Sequence, residues 1–471
     1  MTLVDPALLR QTADLAIQHL ATLESRPVGA RRNVSELSVA LAGSLPEAGV
    51  APEQVIDDLA RDLDDGLVAS PGPRYFGFVT GGALPAALAA DWLAAAWDQN
   101  GFNAVTSPAA AAVEAVAVEW LRTLLGLPAD ASVGLTTGAQ MANVTALAAA
   151  RHAVLGRVGW DVGERGLIGA PPVRVLAGAE AHVTVGQALR LLGLGSGTVV
   201  EVEADGQGRM RADVLARALA GGEGPAIVCA QAGNVDSGAF DPLVDVIAAA
   251  RTHEAWVHVD GAFGLWAAAS PTLAPLVAGA EGADSWATDA HKWLNVPYDC
   301  GVVAVVDATV HRAAMAMQAA YLVRTGEDER SNGDWVPEAS RRARGLAVYA
   351  ALRSLGSTGV AALVERCCAL ARRMAAALEP EPAIAVLNDI VLNQVLVRIG
   401  DDDAATEATV TAVQRDGTCW LGGTRWQGRA AMRISVSNWA TTDDDVDRSA
   451  DAIRAAARAA AGRPPSEAGR P

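Results

Sequence analysis

The sequence predicts an α/β fold in which a mostly parallel sheet is covered by helices. From about residue 130 onward, short runs rich in β-branched residues alternate with Ala- and Leu-rich stretches of helical period. The chain has 471 residues, which is long enough for such a sheet and a second, smaller domain. Sheets of this kind place their sites beyond the carboxyl ends of their strands. The predicted strands are 173–176, 198–202, 226–229, 256–259 and 302–306, and helices are predicted between or before them, for example at 141–151 and 243–251.

The beginning of the chain is predicted to be helical. Over residues 1–65, charged and apolar residues interleave at helical spacing. The sequence SPGP at 70–73 then breaks the pattern. We therefore expect an N-terminal helical segment over 1–65 and a large domain over 66–345, with early helices at 91–97 and after Ser107 and Pro108.

The last third of the chain has a different rhythm. A long helical region at about 341–378 is followed by alternating strands at 390–399 and 431–436, and then by a helix at about 442–461. This order predicts a smaller α+β domain over 346–461. The tail, 462–471, is rich in Pro, Gly and Arg, and we expect it to be disordered.

Composition excludes several classes of protein. Apolar residues make up 51% and charged residues 19%, which is typical of a well-buried globular protein. A net charge of −17 disfavours nucleic acid as a partner, and there is no basic block that would bind an anionic membrane. The five cysteines contain no CxxC pattern, so reduced thiols and a cytoplasmic location are expected. No leader peptide or membrane span is expected either.

Lys292 is the only lysine among the 37 basic Lys and Arg residues. Arginine stays protonated, whereas a buried lysine can lose its proton and attack a carbonyl group. Lys292 follows an apolar-rich run, in the sequence TDAHKW at 288–293. This favours a lysine that forms a Schiff base, although a remaining surface lysine is the alternative.

Two further groups at predicted strand ends fit the same chemistry. Asp260 closes the apolar run 256–259 and precedes Gly261 and Ala262, whose small size allows a flat ring to approach. A carboxylate there can hold a protonated pyridine nitrogen, or it can simply cap a turn. The sequence LTTGAQ at 135–140 precedes a predicted helix, where free N–H groups bind a phosphate, although an ordinary helix cap has the same pattern.

His182 lies in the sequence EAHVT at 180–184, where a histidine can stack on a ring or serve as a structural hydrogen bonder. His182, His258, Asp260 and His291 can also be interpreted as metal ligands, but no H-x-H or H-x-x-x-H spacing supports this. A phosphate cradle, an acid for a pyridinium, a histidine and an imine-forming lysine together are what pyridoxal 5′-phosphate requires of a protein.

The sequence resembles the group II pyridoxal-dependent decarboxylases, the aromatic-amino-acid and glutamate decarboxylase family with the aspartate aminotransferase fold (fold type I). The resemblance extends from about Arg74 to Val446, and its most specific block is the DxHKW pattern. It implies a seven-stranded-type, mostly parallel sheet. The landmarks are RYFGF at 74–78, TSP at 106–108 with Glu114, TTGAQMAN at 136–143, AHVT at 181–184, GNVDSGAFDP at 233–242, HVDGAFG at 258–264, ADS at 283–285 and HKW at 291–293.

The resemblance implies a role for each matching residue. Lys292 would hold the cofactor as a Schiff base, Asp260 would pair with the pyridine nitrogen, and Ala262 and His182 would contact the two ring faces. The phosphate contacts would come from Thr137, Gly138, Ala139 and His291, with Asp289 nearby.

The family's dimer builds its pocket from both subunits, so the resemblance implies a homodimer. It also makes Tyr75, in 75–78, and Phe102, in 97–102, candidate substrate walls. Arg433 resembles the arginine that holds the α-carboxylate in aminotransferases, and a small-domain strand arginine is the alternative. The aromatic residues hint at an apolar or aromatic substrate, but they can equally be core packing.

The implied activity is decarboxylation of an L-amino acid to its amine. Two departures from the family matter. Residues 322–340 contain no tyrosine where the aromatic-amino-acid enzymes have one, and Asn332 falls near that place, so His182 is the substitute candidate for the Cα proton donor. Asn234 and Asp236 stand where threonines are frequent. The alternatives are an oxidative aldehyde synthase, an aminotransferase, an aldolase-type lyase, or a cofactor-binding regulator, which the lack of a basic DNA-reading module disfavours.

Overall fold

A computed structural model describes residues 5–317 and 330–461 of the chain. The helices are α1 Pro6–Ala21, α2 Val34–Leu41, α3 Pro52–Leu63, α4 Pro85–Trp97, α5 Pro108–Leu124, α6 Ala139–Arg157, α7 Val162–Arg165, α8 Val183–Leu191, α9 Ala212–Ala220, α10 Leu243–Arg251, α11 Ala290–Trp293, α12 Ala308–Met315, α13 Gly345–Leu378, α14 Asp403–Asp416 and α15 Asp443–Ala461. The strands are β1 Ser132–Thr136, β2 Arg174–Gly178, β3 Val199–Val202, β4 Ala226–Gln231, β5 Trp256–Asp260, β6 Ser285–Asp289, β7 Gly301–Val305, β8 Ile384–Val386, β9 Gln394–Ile399, β10 Gly422–Trp426 and β11 Arg429–Ser435.

The large sheet has seven strands in the order β1-β7-β6-β5-β4-β2-β3, with β7 antiparallel to both neighbours and the other pairs parallel. Every residue of β1, β4, β5, β6 and β7 is buried, as expected for strands covered by helices on both faces. The predicted mostly parallel α/β sheet is confirmed. Since β5 and β6 run in parallel, their carboxyl ends open on the same edge.

A second, antiparallel sheet has the order β10-β11-β9-β8 and packs against α13 and α14, and α15 packs on these two helices. The segment at 74–76 joins the edge of this region, because the N–H of Phe76 donates to the carbonyl of Trp420 at 2.8 Å and the N–H of Ser435 donates to the carbonyl of Phe76 at 3.0 Å. Further along the same segment, the N–H of Leu84 donates to the carbonyl of Asn295 at 2.7 Å, so the segment also reaches the chain that follows β6. The predicted domain boundaries themselves stay a prediction.

The N-terminal residues form three helices that lie on the surface, and none of α1, α2 and α3 has a fully buried residue. Local signals explain their starts. The Asp5 carboxylate accepts the Ala7 N–H at 2.8 Å, and Asn33 and Glu36 form a reciprocal capping box. Arg26 ties the segment together through an ion pair of 3.0 Å with Asp64. The predicted disordered tail, 462–471, lies outside the described residues.

Helix α13 is the one described helix that is long and apolar enough to cross a membrane by length and composition alone. In the fold it packs against α4, α5 and α15. Gly356 interrupts it with φ 62° and ψ 175°, a backbone conformation open to glycine. The apolar residues of α13 therefore cover the core of the small domain and the adjoining layer of the large domain.

The segment after residue 330 is anchored against α5 by a buried ion pair. The guanidinium of Arg341 lies 2.8 Å from a carboxylate oxygen of Glu114 on α5, and both side chains are essentially inaccessible. The same Arg341 Nη1 donates to the carbonyl of Gly101 at 3.2 Å. Removing one partner of such a pair typically costs about 3–5 kcal/mol, because the other charge is left buried and unpaired.

Candidate active site

Lys292 lies in the short helix α11, directly beyond the carboxyl end of β6. Its side chain is 19% exposed, and its Nζ lies 3.1 Å from Oδ2 of Asp289. The chain segment around Gly81 passes close over its backbone, since a Cβ at Gly81 would lie 1.8 Å from the Lys292 carbonyl oxygen. The amine thus faces a protein-lined site, which disfavours the interpretation of Lys292 as a remaining surface lysine.

Asp260 ends β5, the strand next to β6 in the sheet. Its side chain accepts two hydrogen bonds, at 3.1 Å from Nδ2 of Asn143 to Oδ2 and at 3.2 Å from the N–H of Ala262 to Oδ1. A carboxylate has about four acceptor positions, so capacity remains for a further N–H donor. Asp260 therefore has the placement and the acceptor capacity that a protonated pyridine nitrogen needs.

A buried chain of hydrogen bonds orients Asn143. Nε2 of His258 lies 2.9 Å from Oδ1 of Asn143, and Nδ1 of His258 lies 3.0 Å from Oγ of Ser285, which also accepts the indole N–H of Trp256 at 2.9 Å. The amide oxygen can only accept, so His258 donates through Nε2 and accepts at Nδ1. Burial lowers the pKa of His258 to about 4, consistent with this neutral form. His258 is thus a structural hydrogen bonder that fixes the amide facing Asp260.

We expect the pH dependence of the free energy of unfolding to show that His258 is neutral in the folded protein. Its folded pKa of about 4 lies below the usual value of about 6.5, so its contribution is complete above about pH 6.5 and is lost as pH falls toward 4. The shift corresponds to on the order of 3 kcal/mol. We expect His258→Gln, measured by urea unfolding of the cofactor-loaded protein at pH 7 and pH 5, to lose less stability on acidification than the native chain. The exposed His253→Gln should retain the native slope, and equal slopes for all three proteins would contradict the expectation.

The loop between β1 and α6 forms an anion cradle. Gly138 has φ 149°, and a Cβ there would lie 3.2 Å from Cε1 of His291. The N–H of Ala139 donates at 2.6 Å to Oδ1 of Asp289. The Cys300 N–H donates to Nδ1 of His291 at 3.2 Å, so the neutral ring carries its proton on Nε2, which lies 3.5 Å from the same Asp289 oxygen. The Ala139 and His291 N–H groups thus both point at the Asp289 carboxylate oxygen. Two donors directed at one anionic oxygen are what a phosphate site requires.

His182 is the N-cap of α8, where its Nδ1 lies 2.7 Å from Oγ1 of Thr184 and accepts the Thr184 N–H at 3.4 Å. Thr184 in turn lies 3.3 Å from Nδ2 of Asn143. Burial lowers the pKa of His182, the charge of Asp260 opposes that shift, and Lys292 adds to it. His182 is therefore close enough to both groups to interact electrostatically, and among the described residues its Nε2 has no hydrogen-bond partner.

Arg433 on β11 brings a charge from the small sheet. Its Nη1 lies 3.5 Å from Oδ1 of Asp236, and the two side chains are 14% and 10% exposed. Asn234 holds the Asp236 loop by accepting the Asp236 and Ser237 N–H groups at 2.9 and 3.1 Å. The structure thus brings Arg433 and both predicted departures, Asn234 and Asp236, into one neighbourhood.

The two predicted wall residues have different surroundings. Tyr75 is buried and stacks on Trp420 at 5.0 Å, and burial together with Tyr298 raises its pKa to about 12. Tyr298 stacks at 4.5 Å on His291, which places this aromatic group beside the cradle. Phe102 instead packs against Gly333, whose N–H donates to the Phe102 carbonyl at 2.9 Å, at the β1 edge of the sheet.

Sequence reasoning singled out most of these residues but missed the connecting ones. Asn143 lies in the motif TTGAQMAN and Thr184 in the motif AHVT, but the resemblance implied no role for either residue. No sequence pattern pointed to Tyr298. The available signal for Asn143 was a polar residue within the Ala-rich helix α6, where it is fully buried. Among residues 5–317 and 330–461, no group of three or more His, Cys, Asp or Glu side chains suits a metal ion, so the metal interpretation has no cluster to support it.

Known structures show the same fold. The Oryza sativa TDC, solved with PLP and tryptamine, matches with a TM-score of 0.89 at 23% identity, over 98% of this chain and 99% of that one. The convergence of a lone amine, an acid with free acceptor capacity and an anion cradle fits pyridoxal phosphate. Fold and site together define a pyridoxal-phosphate-dependent enzyme of fold type I.

The sequence matches the pyridoxal-dependent decarboxylase conserved domain over residues 36–399, and the chain belongs to this family. It is 27% identical over 456 residues to an aromatic-L-amino-acid decarboxylase of Bacillus atrophaeus, covering 93% of this chain and 92% of that protein. It is 31% identical over 434 residues to an L-2,4-diaminobutyrate decarboxylase of Rhizobium meliloti (strain 1021), covering 88% and 84%. The protein is an amino-acid decarboxylase, a carboxy-lyase with pyridoxal phosphate as cofactor.

Proposed function

We propose that Lys292 holds the cofactor covalently and that Asp260 keeps its pyridine nitrogen protonated, while carbon dioxide is released from Cα of an L-amino acid. The placement of Lys292 and Asp260 beyond the carboxyl ends of the adjacent parallel strands β6 and β5 carries this proposal. Pyridoxal phosphate, when bound, supplies a sink for the electron pair left when the bond from Cα to the carboxylate breaks.

The remaining residues bind and orient. Ala139 and His291 would donate N–H groups to the phosphate in place of the Asp289 oxygen that both contact in the structure, within a cradle that Thr137 and Gly138 complete. Ala262 and His182 would contact the cofactor ring. These roles are supported by the donors at Ala139 and His291 and by the free Nε2 of His182.

Arg433 is the proposed partner of the substrate's α-carboxylate until that group leaves. His182 is the proposed source of the proton that replaces carbon dioxide at Cα, transferred from its Nε2. Burial lowers the pKa of His182, so its protonated form is the minor one at neutral pH. The loop where the aromatic-amino-acid enzymes carry a tyrosine lies partly at 318–329, outside the described residues, while Asn332 is buried and donates to the Gly101 carbonyl at 3.3 Å.

We further propose a cytoplasmic homodimer whose subunits meet near the active site. Phe78, Trp97 and Tyr298 are 61%, 52% and 61% exposed, and large apolar side chains exposed beside a site are typical of an interface. A partner would also complete the substrate walls, for which Tyr75 and Phe102 are candidates. The five cysteines are buried free thiols, which suits a reducing compartment.

A product assay tests the proposed reaction against its alternatives. With a panel of L-amino acids we expect carbon dioxide and amine in equal amounts, with no hydrogen peroxide and no amino transfer to a keto acid. Peroxide formed together with an aldehyde would instead identify an oxidative aldehyde synthase. Keto-acid-dependent transfer without carbon dioxide would identify an aminotransferase, and cleavage of a side-chain bond an aldolase-type lyase.

A further inference from the structure

Asp236 holds a buried negative charge in a rigid place beside the site. It lies in the turn after β4, where Gly233, with φ 94°, approaches Gly264 so closely that a Cβ would lie 3.0 Å from the Gly264 Cα. Asn234 then fixes the backbone N–H of Asp236 at 2.9 Å. These contacts fix the backbone of the turn at Asp236.

The only described cationic contact of Asp236 is Arg433, at 3.5 Å. The cations in electrostatic contact with His182 are Lys292 and Arg433. Lys292 is paired with Asp289, since its Nζ lies 3.1 Å from Oδ2 of that residue, so Arg433 is the cation assigned to the substrate's α-carboxylate. When the substrate binds, Asp236 must therefore share or lose its guanidinium.

A second acidic side chain, Glu180, adds to the excess of negative charge near Asp236. Glu180, two residues before His182, interacts electrostatically with Asp236, and burial together with this like charge raises the pKa of Glu180. Burial also raises the pKa of Asp236, against the opposing charge of Arg433. With the substrate carboxylate in place, that carboxylate and Asp236 compete for one guanidinium, and Glu180 adds a like charge near Asp236. A buried carboxylate without a cationic partner is costly, and an apolar or aromatic substrate side chain supplies no cation.

We propose that Asp236 is a specificity-determining residue that makes this site prefer L-amino acids whose side chain carries a primary ammonium group, the class of diamino acids. The side-chain ammonium pairs with Asp236 in place of Arg433, whose guanidinium then pairs with the substrate's α-carboxylate. The inference rests on the proposed function, because it assigns Arg433 to the substrate carboxylate. It differs from the sequence-based hint of an aromatic substrate, which counted aromatic residues but not charges.

Matched substrate pairs test the proposal. L-2,4-diaminobutyrate and L-norvaline have nearly the same shape and differ in an ammonium against a methyl group, as do L-ornithine and L-norleucine. For cofactor-loaded enzyme, we expect kcat/KM and the apparent affinity from the change in cofactor absorbance to favour the diamino member of at least one pair by more than about tenfold. In Asp236→Asn this ratio should fall by about 10–100-fold, because the diamino acids lose their anionic partner and the apolar substrates no longer leave a carboxylate unpaired.

The control is Asp447→Asn, which removes an aspartate paired with an arginine at 2.6 Å, but on the exposed surface of α15. It should leave both substrate ratios unchanged. An equal loss for every substrate in Asp236→Asn, with a shifted cofactor absorbance, would overturn the proposal and place Asp236 on the cofactor ring. A native preference for norvaline and norleucine would overturn it as well. Absorbance changes without carbon dioxide from any amino acid would instead reject the proposed reaction, while the affinity ratios would still decide the role of Asp236.

Discussion

Replacing Lys292 with alanine is expected to abolish decarboxylation, with a loss of at least about 10³-fold, the scale on which enzymes lose activity without their covalent catalytic residue. The amine is the only lysine side chain of the protein and lies in the site. After borohydride reduction, cofactor should remain attached to the native chain at one side chain and to none in Lys292→Ala. Both absorbance and the mass of the reduced adduct measure this directly.

The variant Lys292→Arg removes the ability to form an imine but keeps the positive charge of the side chain. Arginine keeps the ion pair that Lys292 makes with Asp289 at 3.1 Å, but its guanidinium stays protonated and forms no stable imine. We therefore expect this variant to fold, to unfold at nearly the native urea concentration, and to be as inactive as Lys292→Ala. A reduced cofactor adduct that persists on a side chain of either variant would refute the assignment of Lys292.

The next largest effect is expected for Asp260→Asn, with a fall in kcat of roughly 10²–10³-fold, comparable to removing one charge-stabilising group from an active site. The amide still accepts a hydrogen bond, but it does not keep the pyridine nitrogen protonated. Steady-state kinetics and the cofactor absorbance at several pH values measure the two consequences. KM should change far less than kcat, because the substrate does not contact this carboxylate.

Asn143→Ala provides the comparison for Asp260. Asn143 touches Asp260 at 3.1 Å but not the cofactor in the proposed arrangement, so it is a positioning residue. Its loss should lower kcat by about tenfold and leave the protonation of the cofactor unchanged. The surface substitution Asp245→Asn should have neither effect. Equal losses for Asp260→Asn and Asp245→Asn would show that the carboxylate of Asp260 has no role.

The strand positions that sequence predicted were those with continuous apolar runs. The run at 256–259 stands out, and the polar Asp260 that ends it could be found for the same reason. Strand β6 was missed because its sequence, SWATD, alternates with small polar residues that hydrogen-bond inside the fold, such as Ser285. Strand β1 was missed in the same way, since SVGLT has a central glycine that the close passage of Trp335 requires.

Contacts between distant parts of the chain could not be predicted in this way. Asn143 meets Asp260 across 117 positions and Arg433 meets Asp236 across 197, and neither has a local pattern. The resemblance to the family supplied the roles of Lys292, Asp260 and His182. The approach of Asp236 to Arg433 depends on how β11 faces the turn after β4, which only the three-dimensional fold specifies.

The groups proposed for the cofactor and for the substrate belong to different sheets. Asp260 ends β5 and Lys292 follows β6. These two strands are neighbours in the large sheet, and their backbone hydrogen bonds space them about 4.8 Å apart. Arg433 lies on β11 of the small sheet, and Tyr75 is bound through Trp420 to that same layer. Substitutions in the small sheet can therefore change which amino acid is accepted, while the residues that support the cofactor in the large sheet stay the same.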